Sequence, residues 1–343
     1  MRPTTQLLFL LTLSVAGSAQ HVEKRKYLDA RLHFTDKRNS AYSAIAYPEA
    51  GRWVLKAVYR SDSTLLTMSF TDETLTIKDG PYTLYHPNGV LWQKGHFKND
   101  RAEGIWQSWY DNGQTMDSGR AGKSQFCGLW KHWYDNGQLK NIHEYTTQPG
   151  DPPLIPFVIA GTNTGNDLTI DPSAGFVHLT GVSDGRFQSW YENGQPESEG
   201  ALHHDTLTGV WKWFRDNGRP AAVETYAGGK VTGLECYDEN GALTGNSCSI
   251  LKPAVFTHPY KSARQYIADQ LKNLYDLRRS DVGPLRLRFI VTSKGKIDRL
   301  TISNDPSFDL QLNIIHIFST MPAWSPAVSH NRTIDYPVII QVF

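Results

Sequence analysis

A glycine-led unit of constant length recurs along the middle of the chain. The sequence GIWQSWYDNG at residues 104–113 returns as GLWKHWYDNG 24 residues later. Aligning on the first glycine gives six copies, and adjacent copies lie 24 residues apart except across one interruption. The leading glycines are Gly80, Gly104, Gly128, Gly185, Gly209 and Gly233. A fixed period of this size indicates a repeat architecture, in which each unit buries its apolar surface against its neighbours.

Every copy carries an Asn-Gly pair between two runs that are rich in aromatic residues. Asn-Gly supplies the positive φ values of a type I′ turn, and aromatic residues favour strands. Each copy is therefore predicted to be one β-hairpin with its tip at Asn-Gly. A lone hairpin is marginal in water, so consecutive hairpins are expected to form a meandering antiparallel sheet. The pairs begin at Asn88, Asn112, Asn136, Asn193, Asn217 and Asn240.

The aromatic residues stand two and five positions after the leading glycine. A regular strand would send positions three apart to opposite faces. Either both faces carry aromatic side chains or a bulge resets the alternation. Because Trp and Tyr dominate binding hot spots, Trp109, Trp133 and Trp190 are candidate partner-binding residues.

The units of the form G-x-W-x-x-W-Y-x-N-G resemble the MORN-repeat family, in particular its bacterial antitoxin-like variant. The resemblance covers roughly residues 80–245. It implies a β-repeat scaffold that is used for binding.

The remaining sequence divides around this array. Residues 1–19 combine Arg2, an apolar stretch at 7–16 and small residues ending at Ala19, which predicts a cleaved export signal. Residues 20–79 are expected to be an N-terminal β capping region, and 80–250 the repeats. Inside the array, residues 146–184 are either a degenerate repeat or a protruding loop.

These features predict an exported protein, periplasmic or associated with the outer membrane, or secreted. No segment after the signal is long enough to span a bilayer. The net charge of +1 argues against nucleic acid as a partner. Of the three cysteines, Cys236 and Cys248 are candidates for a disulfide, and Cys127 is expected to be a small buried residue.

The composition changes at residue 251, where a small α+β module is predicted to run to residue 343. An apolar helical face covers 259–274, two strands follow, a helix is capped by Asp305 with Pro306 at its first position, and YPVIIQVF closes as a strand. The fold class is thus mainly β, a meander of hairpin repeats followed by this α+β module.

The strand pair at 288–305, the stretch MPAWSPA at 321–327 and the closing strand resemble the C-terminal domain of TonB-type energy transducers. In that family the domain is periplasmic and pairs edge to edge with an outer-membrane transporter. The resemblance implies strand addition along the last strand. Trp324 is expected to be a core residue, and energy transduction is not implied, since repeats replace the Pro-rich spacer. The candidate partner-binding residues on this strand are Tyr336, Val338, Ile340 and Val342.

No catalytic or cofactor-binding motif stands out, so the chain is predicted to be neither an enzyme nor a cofactor or metal protein. The densest histidine cluster is His203-His204-Asp205. Adjacent strand residues point to opposite faces, so these imidazoles are expected not to share an ion, and an exposed turn is favoured.

The function predicted is a non-catalytic binding scaffold of the cell envelope, with the C-terminal module docking a protein partner, such as an outer-membrane protein. The alternatives are an antitoxin-like neutraliser of another protein, an accessory of TonB-dependent transport, or a glycan-active enzyme hidden in 146–184.

Overall fold

The computed structural model describes residues 23–30, 32–146, 179–257, 261–274, 285–303 and 307–342. The export signal predicted at 1–19 and most of the 146–184 segment lie outside these residues. Two compact units make up the chain, Met1–Phe126 with Pro149–Thr180, and Cys127–Gln148 with Gly181–Phe343. The boundaries predicted after residues 79 and 250 stay predictions. Within the described ranges, no helix has the length and apolar character needed to cross a membrane.

The first unit is an antiparallel meander. A short 3₁₀ turn, Lys37–Asn39, follows the first strand, and its N-cap is Asp36. Each strand pairs with the next in chain order. The strands are β1 Lys24–Leu28, β2 Tyr42–Glu49, β3 Arg52–Val58, β4 Thr64–Phe70, β5 Lys78–Tyr85, β6 Leu91–Lys98, β7 Arg101–Trp109 and β8 Thr115–Gly122.

The second unit continues the same pattern of hairpins. Strand β10 pairs directly with β11, so the third and fourth copies are neighbours in the sheet, as two uninterrupted copies would be. Of the segment 146–184, predicted to be a degenerate repeat or a protruding loop, residues 147–178 lie outside the described ranges. The strands are β9 Gln125–Trp133, β10 Leu139–Tyr145, β11 Ser183–Trp190, β12 Pro196–His203, β13 Thr206–Phe214, β14 Pro220–Ala227, β15 Lys230–Tyr237 and β16 Leu243–Gly245.

The Asn-Gly pairs do form the hairpin tips, but the predicted type I′ turn is wrong. In the first copy Gly89 has a φ of 84° while Asn88 is not in the left-handed region. The Gly89 amide donates to the carbonyl of His86, and the His86 amide donates to Val90. This is a three-residue loop, a type I turn closed by a left-handed glycine.

True I′ geometry occurs at the opposite ends of the strands, where one hairpin joins the next. Both turn residues there have positive φ, as in His204 (48°) and Asp205 (60°). This geometry matches the right-handed twist of the flanking strands. The other such pairs are Asn99 and Asp100, Lys123 and Ser124, and Gly228 and Gly229.

In two copies, the aromatic residue two positions after the leading glycine is buried over a glycine of the preceding strand. Trp211 is 2% exposed, and a Cβ added at Gly200 would lie inside contact distance of its ring. Trp106 lies over Gly95 in the same way in the first unit. The residues five positions after the glycine, such as Trp109, are only half-buried. Strand alternation therefore holds from the glycine onward, and both faces carry aromatic side chains.

The row of buried rings in the second unit includes a histidine. His143 lies 5.1 Å from the ring of Phe187 and 4.5 Å from that of Tyr145. Burial, helped by the nearby His132, lowers the pKa of His143 to about 4, so the imidazole is neutral at pH 7. It packs as one more aromatic ring, edge-on to Phe187 and tilted against Tyr145.

The C-terminal module has the predicted order of helix, strand, strand, helix and strand, with short pairs added. Strands β20, β19 and β24 form an antiparallel sheet in that spatial order, and β17–β22–β23 and β18–β21 pair separately. The elements are β17 Leu251–Lys252, β18 Val255–Phe256, α1 Ala263–Leu274, β19 Leu285–Val291, β20 Ile297–Ile302, α2 Phe308–Thr320, β21 Trp324–Ser325, β22 Ala327–Ser329, β23 Arg332–Ile334 and β24 Tyr336–Val342.

One apolar core holds this module together. The alternating side chains of β19 pack against one face of each helix, and Trp324, 7% exposed, lies between Phe256 and Phe289, as expected for a core aromatic. Helix α1 begins after Ser262, whose hydroxyl accepts from the Gln265 amide in a capping box. Ser307 occupies the N-cap position of helix α2 without a side-chain capping hydrogen bond, and the predicted cap at 305–306 lies outside the described residues.

Candidate interaction surfaces

Side-chain hydrogen bonds join the tips of neighbouring hairpins. The Tyr134 hydroxyl donates to the carbonyl of Trp190 at 3.0 Å, and the Asn136 side-chain amide donates to the carbonyl of Glu192 at 3.1 Å. The Tyr-x-Asn-Gly spacing thus has a structural purpose, because both side chains reach the same neighbouring tip. The same two bonds recur one copy later, from Tyr191 to Phe214 at 2.7 Å and from Asn193 to Asp216 at 2.8 Å.

The C-terminal module contacts the last repeats of its own unit through the hairpin β22–β23. Arg332 is the anchor: its guanidinium lies 5.2 Å from the ring of Trp213 and 5.9 Å from that of Tyr191. Its Nη1 donates to the Tyr191 hydroxyl at 2.9 Å and to the carbonyls of Glu197 at 3.1 Å and Phe214 at 3.2 Å. A planar cation that stacks and donates at once is what arginine, and not lysine, provides.

The turn of this hairpin adds a second anchor. The His330 ring stacks on Trp213, with centroids 3.5 Å apart and planes 6° from parallel, and its Nδ1 lies 2.9 Å from Oε2 of Glu224. Glu224 is fully buried and also accepts from Trp213 Nε1 at 3.0 Å and from the Tyr226 hydroxyl at 2.5 Å. A buried carboxylate is thereby supplied with hydrogen-bond donors from both modules.

The electrostatics of Glu224 follow from these contacts. Burial raises the pKa of a carboxyl group, but here the hydrogen bonds from His330, Tyr226 and Trp213 and the charge of His330 outweigh it. The pKa of Glu224 therefore lies below its ordinary value of 4.5. The carboxylate stays ionised at neutral pH, and its stability contribution depends on the C-terminal hairpin.

Arg215 stands where three of the other copies place a tip tyrosine, Tyr110, Tyr134 and Tyr191. Its Nη2 donates to the carbonyl of Tyr237 at 2.9 Å, as a tip tyrosine would, and its Nη1 donates to the carbonyl of Asn331 at 2.8 Å. Asn331 in turn donates to the carbonyls of Ala221 and Tyr237, both at 2.9 Å. The substitution of Tyr by Arg at this copy thus extends the tip ladder to the module.

The strand proposed for partner addition lies at the edge of its sheet. Strand β24 pairs with β19, and within the described residues no strand pairs with its other side. Ile340 and Val342 are buried in the module's own core, and Tyr336 and Val338 are half-buried. These side chains are therefore wholly or partly buried within the module itself and are not presented to a partner. On the opposite, solvent-facing side of β24, the large aliphatic residue is Ile339, which is 59% exposed.

None of the three candidate tryptophans is fully exposed. Trp109 in the first unit and Trp133 and Trp190 in the second are each half-buried. The carbonyl of Trp109 accepts a hydrogen bond from His86 Nε2 at 2.9 Å, and the carbonyl of Trp190 accepts one from the Tyr134 hydroxyl. These positions take part in the joints between hairpins.

Sequence reasoning missed a different exposed position, the residue directly after the leading glycine. Ile105 in the first unit is 61% exposed, and Leu129 and Val210 in the second are 42% and 54% exposed. In the second unit β9 carries Leu129, β11 carries Arg186 at the same repeat position, and β13 carries Val210. At a strand spacing of about 4.8 Å, Leu129 and Val210 lie about 19 Å apart on one face.

The expectation that His203 and His204 diverge is wrong. His203 ends β12, but His204 has a φ of 48°, and the two rings lie 4.3 Å apart. Asp184 faces both imidazoles from the start of β11. The strand rule failed because the second histidine belongs to a left-handed turn.

The cysteines of the last repeat are joined. Cys236 on β15 and Cys248 form a disulfide, with Cα atoms 5.9 Å apart. The bridge ties the chain that leaves β16 back to the sheet. Cys127, expected to be buried, is half-buried.

Four segments of the chain, residues 78–99, 102–116, 126–146 and 183–201, match the family model described as MORN repeat variant. A search of curated proteins found no match. The matched segments coincide with the hairpins from β5 to β12, and the copies led by Gly209 and Gly233 repeat their turns and pairing beyond them. The TonB-type and antitoxin-like resemblances stay predictions. These four segments are therefore similar to MORN repeats of the variant type.

Proposed function

We propose that the chain is a non-catalytic, exported binding scaffold of the cell envelope whose repeat sheet presents its outer face to a protein partner. MORN repeats typically bind proteins or membranes. The supporting observation is the row formed by the residue directly after the leading glycine, which in the second unit carries the exposed Leu129 and Val210 with Arg186 between them. Such side chains at regular spacing on a rigid sheet suit an extended apolar interface with a polar rim.

The charges around this row favour a protein partner over an anionic membrane. Lys212 on the same face pairs with Glu199 at 2.8 Å, and Arg186 lies near Glu144, whose Oε2 accepts from the Arg186 backbone amide at 2.9 Å. Both signs of charge are interspersed, whereas an anionic lipid surface selects clustered Lys and Arg.

Paired substitutions on the face test this proposal. The double change Leu129→Ser with Val210→Ser should reduce partner capture in envelope extract at least tenfold, the effect of losing about 1.4 kcal/mol. The matched control is Leu243→Ser with Leu251→Ser, at sites 62% and 74% exposed. Equal capture by both double variants, with unchanged circular dichroism, would remove the face from the proposal.

A second mode, strand addition at β24, is supported by the free side of that edge strand and by the TonB-type resemblance. A photo-cross-linking residue at Ile339 should capture a partner that the same residue at Phe308, 71% exposed on α2, does not capture. Identical products from both sites would argue against strand addition. Cross-linked outer-membrane proteins would favour the transport accessory, and a captured toxin would favour the antitoxin-like neutraliser.

Export itself is tested by fractionation. Mature protein recovered from the periplasm or outer membrane, with its N-terminus near residue 20, is the expected result. Full-length protein in the cytoplasm would overturn the envelope part of the proposal and leave the binding face to be judged separately.

A further inference from the structure

The turn that joins β12 to β13 brings two imidazoles to one side of the sheet. His203 ends β12 and pairs with Thr206 at the start of β13. Since His204 is left-handed, its ring turns back toward that of His203, and His204 Nδ1 lies 3.2 Å from His203 Nε2. A left-handed residue other than glycine is uncommon, and histidine is among those that tolerate it.

The same turn is fixed to the neighbouring strand β11. The Asp205 amide donates to the carbonyl of Ser183 at 2.9 Å, and the Ser183 amide donates back to Asp205 Oδ1 at 2.7 Å. These reciprocal bonds place the next residue, Asp184, against the imidazoles. Its Oδ2 lies 3.3 Å from His203 Nδ1 and 3.4 Å from His204 Nδ1.

We infer that Asp184, His203 and His204 form a binding site for a divalent transition metal ion, with Zn²⁺ as the ion that fits best. Ligand atoms of the three residues lie within 4.8 Å of one another. A tetrahedral ion with bonds of about 2.1 Å separates its ligand atoms by about 3.4 Å. The distances from Asp184 Oδ2 to the Nδ1 atoms of His203 and His204, 3.3 and 3.4 Å, already match that separation.

The donor set selects the class of metal. Two imidazoles and one carboxylate suit zinc, copper and nickel, whereas Mg²⁺ and Ca²⁺ require oxygen ligands. The side chains of His203, His204 and Asp184 are 68%, 59% and 32% exposed, so the ion reaches the site from solvent. Three protein ligands leave one tetrahedral position for water or for a ligand from another molecule.

The site belongs to one copy of the array. The equivalent turns carry Asn99 and Asp100, Lys123 and Ser124, and Gly228 and Gly229, none of which supplies an imidazole. The turn geometry is therefore a property of the repeat, and the metal ligands are an addition to it. This placement is independent of the aliphatic face and of strand β24.

Zinc titration of the tag-free whole chain tests the inference. Isothermal calorimetry should show one equivalent of Zn²⁺ bound and no heat with Mg²⁺, and imidazole ¹⁵N shifts of His203 and His204 should move on saturation. His203→Ala, His204→Ala and Asp184→Asn should each weaken binding at least tenfold. Each side chain is accessible to solvent, so circular dichroism should stay unchanged.

The matched control is His33→Ala. His33 is 73% exposed and faces Asp29 at 3.5 Å, but that pair has no second imidazole in its contact. The control should bind zinc like the unaltered chain. An absence of saturable binding would show that the three side chains form a hydrogen-bonded cluster only, and stoichiometric binding that survives His203→Ala with His204→Ala would place the metal elsewhere; either result overturns the inference.

Discussion

Gly200 owes its place in the sequence to the ring of Trp211. Gly200 has no side chain, so the indole of Trp211 lies directly against the backbone of the preceding strand. The indole Nε1 donates to the carbonyl of Ala201 at 2.9 Å. A broad ring is thus buried without a second sheet to cover it. Gly95 lies under Trp106 at the same place in its copy, whereas His143 and Glu224 stand at this place in two other copies.

Replacing this glycine should be costly. We expect Gly200→Ala to lower the free energy of unfolding by about 1–3 kcal/mol, because the new Cβ would overlap the Trp211 ring. Gly233→Ala is the control, since its Cβ would meet Thr225 Oγ1 at 3.2 Å and no ring. Denaturant unfolding followed by tryptophan fluorescence measures both. A smaller loss for Gly200→Ala than for Gly233→Ala would contradict the packing argument.

Glu224 should give the second unit an acid-sensitive stability. Its pKa is lowered in the folded state, so its contribution is present above the ordinary value of 4.5 and is lost as pH falls through the folded pKa. We expect Glu224→Gln to be about 1–3 kcal/mol less stable at pH 7, as for lost charged hydrogen bonds. The difference from the unaltered chain should shrink below pH 4.5.

Melting temperatures at a series of pH values measure this. Glu199→Gln is the control, because Glu199 also has a lowered pKa, from its hydrogen bond with Lys212, but lies on the surface, where an ion pair contributes about 0–1 kcal/mol. A pH-independent difference for Glu224→Gln would show that the group is not ionised in the folded protein.

At the scale of the element, the hairpin tip does more than reverse the chain. Its tyrosine and asparagine each donate to a carbonyl of the neighbouring tip, and the joint is repeated along the second unit. Backbone pairing alone would leave those carbonyls to solvent. Each hairpin is therefore bound to the next at its tip as well as along its strands.

Removing these bonds should loosen one joint at a time. We expect Tyr134→Phe and Asn136→Ala to cost about 1 kcal/mol each, the value of one hydrogen bond. Hydrogen exchange measured by mass spectrometry should rise in the peptides that cover the tips at residues 134–138 and 190–194. Lys230→Ala, at an exposed position at the start of β15, serves as the control, and an equal rise in that variant would mean that the tips are not the joint.

Turn position was predictable from the dipeptide, whereas turn type was not. Asn-Gly indicates a hairpin tip because glycine readily adopts a positive φ. The residue before the pair, a proline before Asn88 and an aspartate before Asn112, makes a three-residue loop as favourable as the two-residue type I′ turn. The I′ turns between hairpins carry sequences such as Lys123-Ser124, whose composition gives no such signal. Their geometry is imposed by the strands on either side, which is why the His203–His204 contact was missed.

At the scale of the whole molecule, the sequence predicted two kinds of module and left their connection open. The mainly β meander and the α+β module follow from periodicity and strand alternation, which are local properties. The docking of β22–β23 depends on residues more than 100 positions apart, such as Glu224 and His330. Nothing in either segment alone points to the other, so this junction required the structure.

Arg332 should couple the module to the repeats of its unit. We expect Arg332→Lys to destabilise the junction by about 1.5–3 kcal/mol, because lysine cannot stack on Trp213 while donating to Tyr191 and Phe214. Hydrogen exchange should then show that residues 206–237 and residues 285–342 open separately, whereas in the unaltered chain the two segments should open together. Arg299→Lys, at a side chain 78% exposed, is the control. Joint opening in both variants would place the coupling elsewhere.

The asparagines at the hairpin tips are also sites where slow spontaneous deamidation is expected. An asparagine followed by glycine is the pair most readily converted to aspartate, and Asn136 and Asn193 donate their amide hydrogens to a neighbouring carbonyl. After deamidation a carboxylate would face that carbonyl oxygen, and the donor would be gone. We expect aged protein to accumulate one-dalton shifts at these tips, detectable by peptide mass spectrometry, and to loosen hairpin by hairpin as they appear.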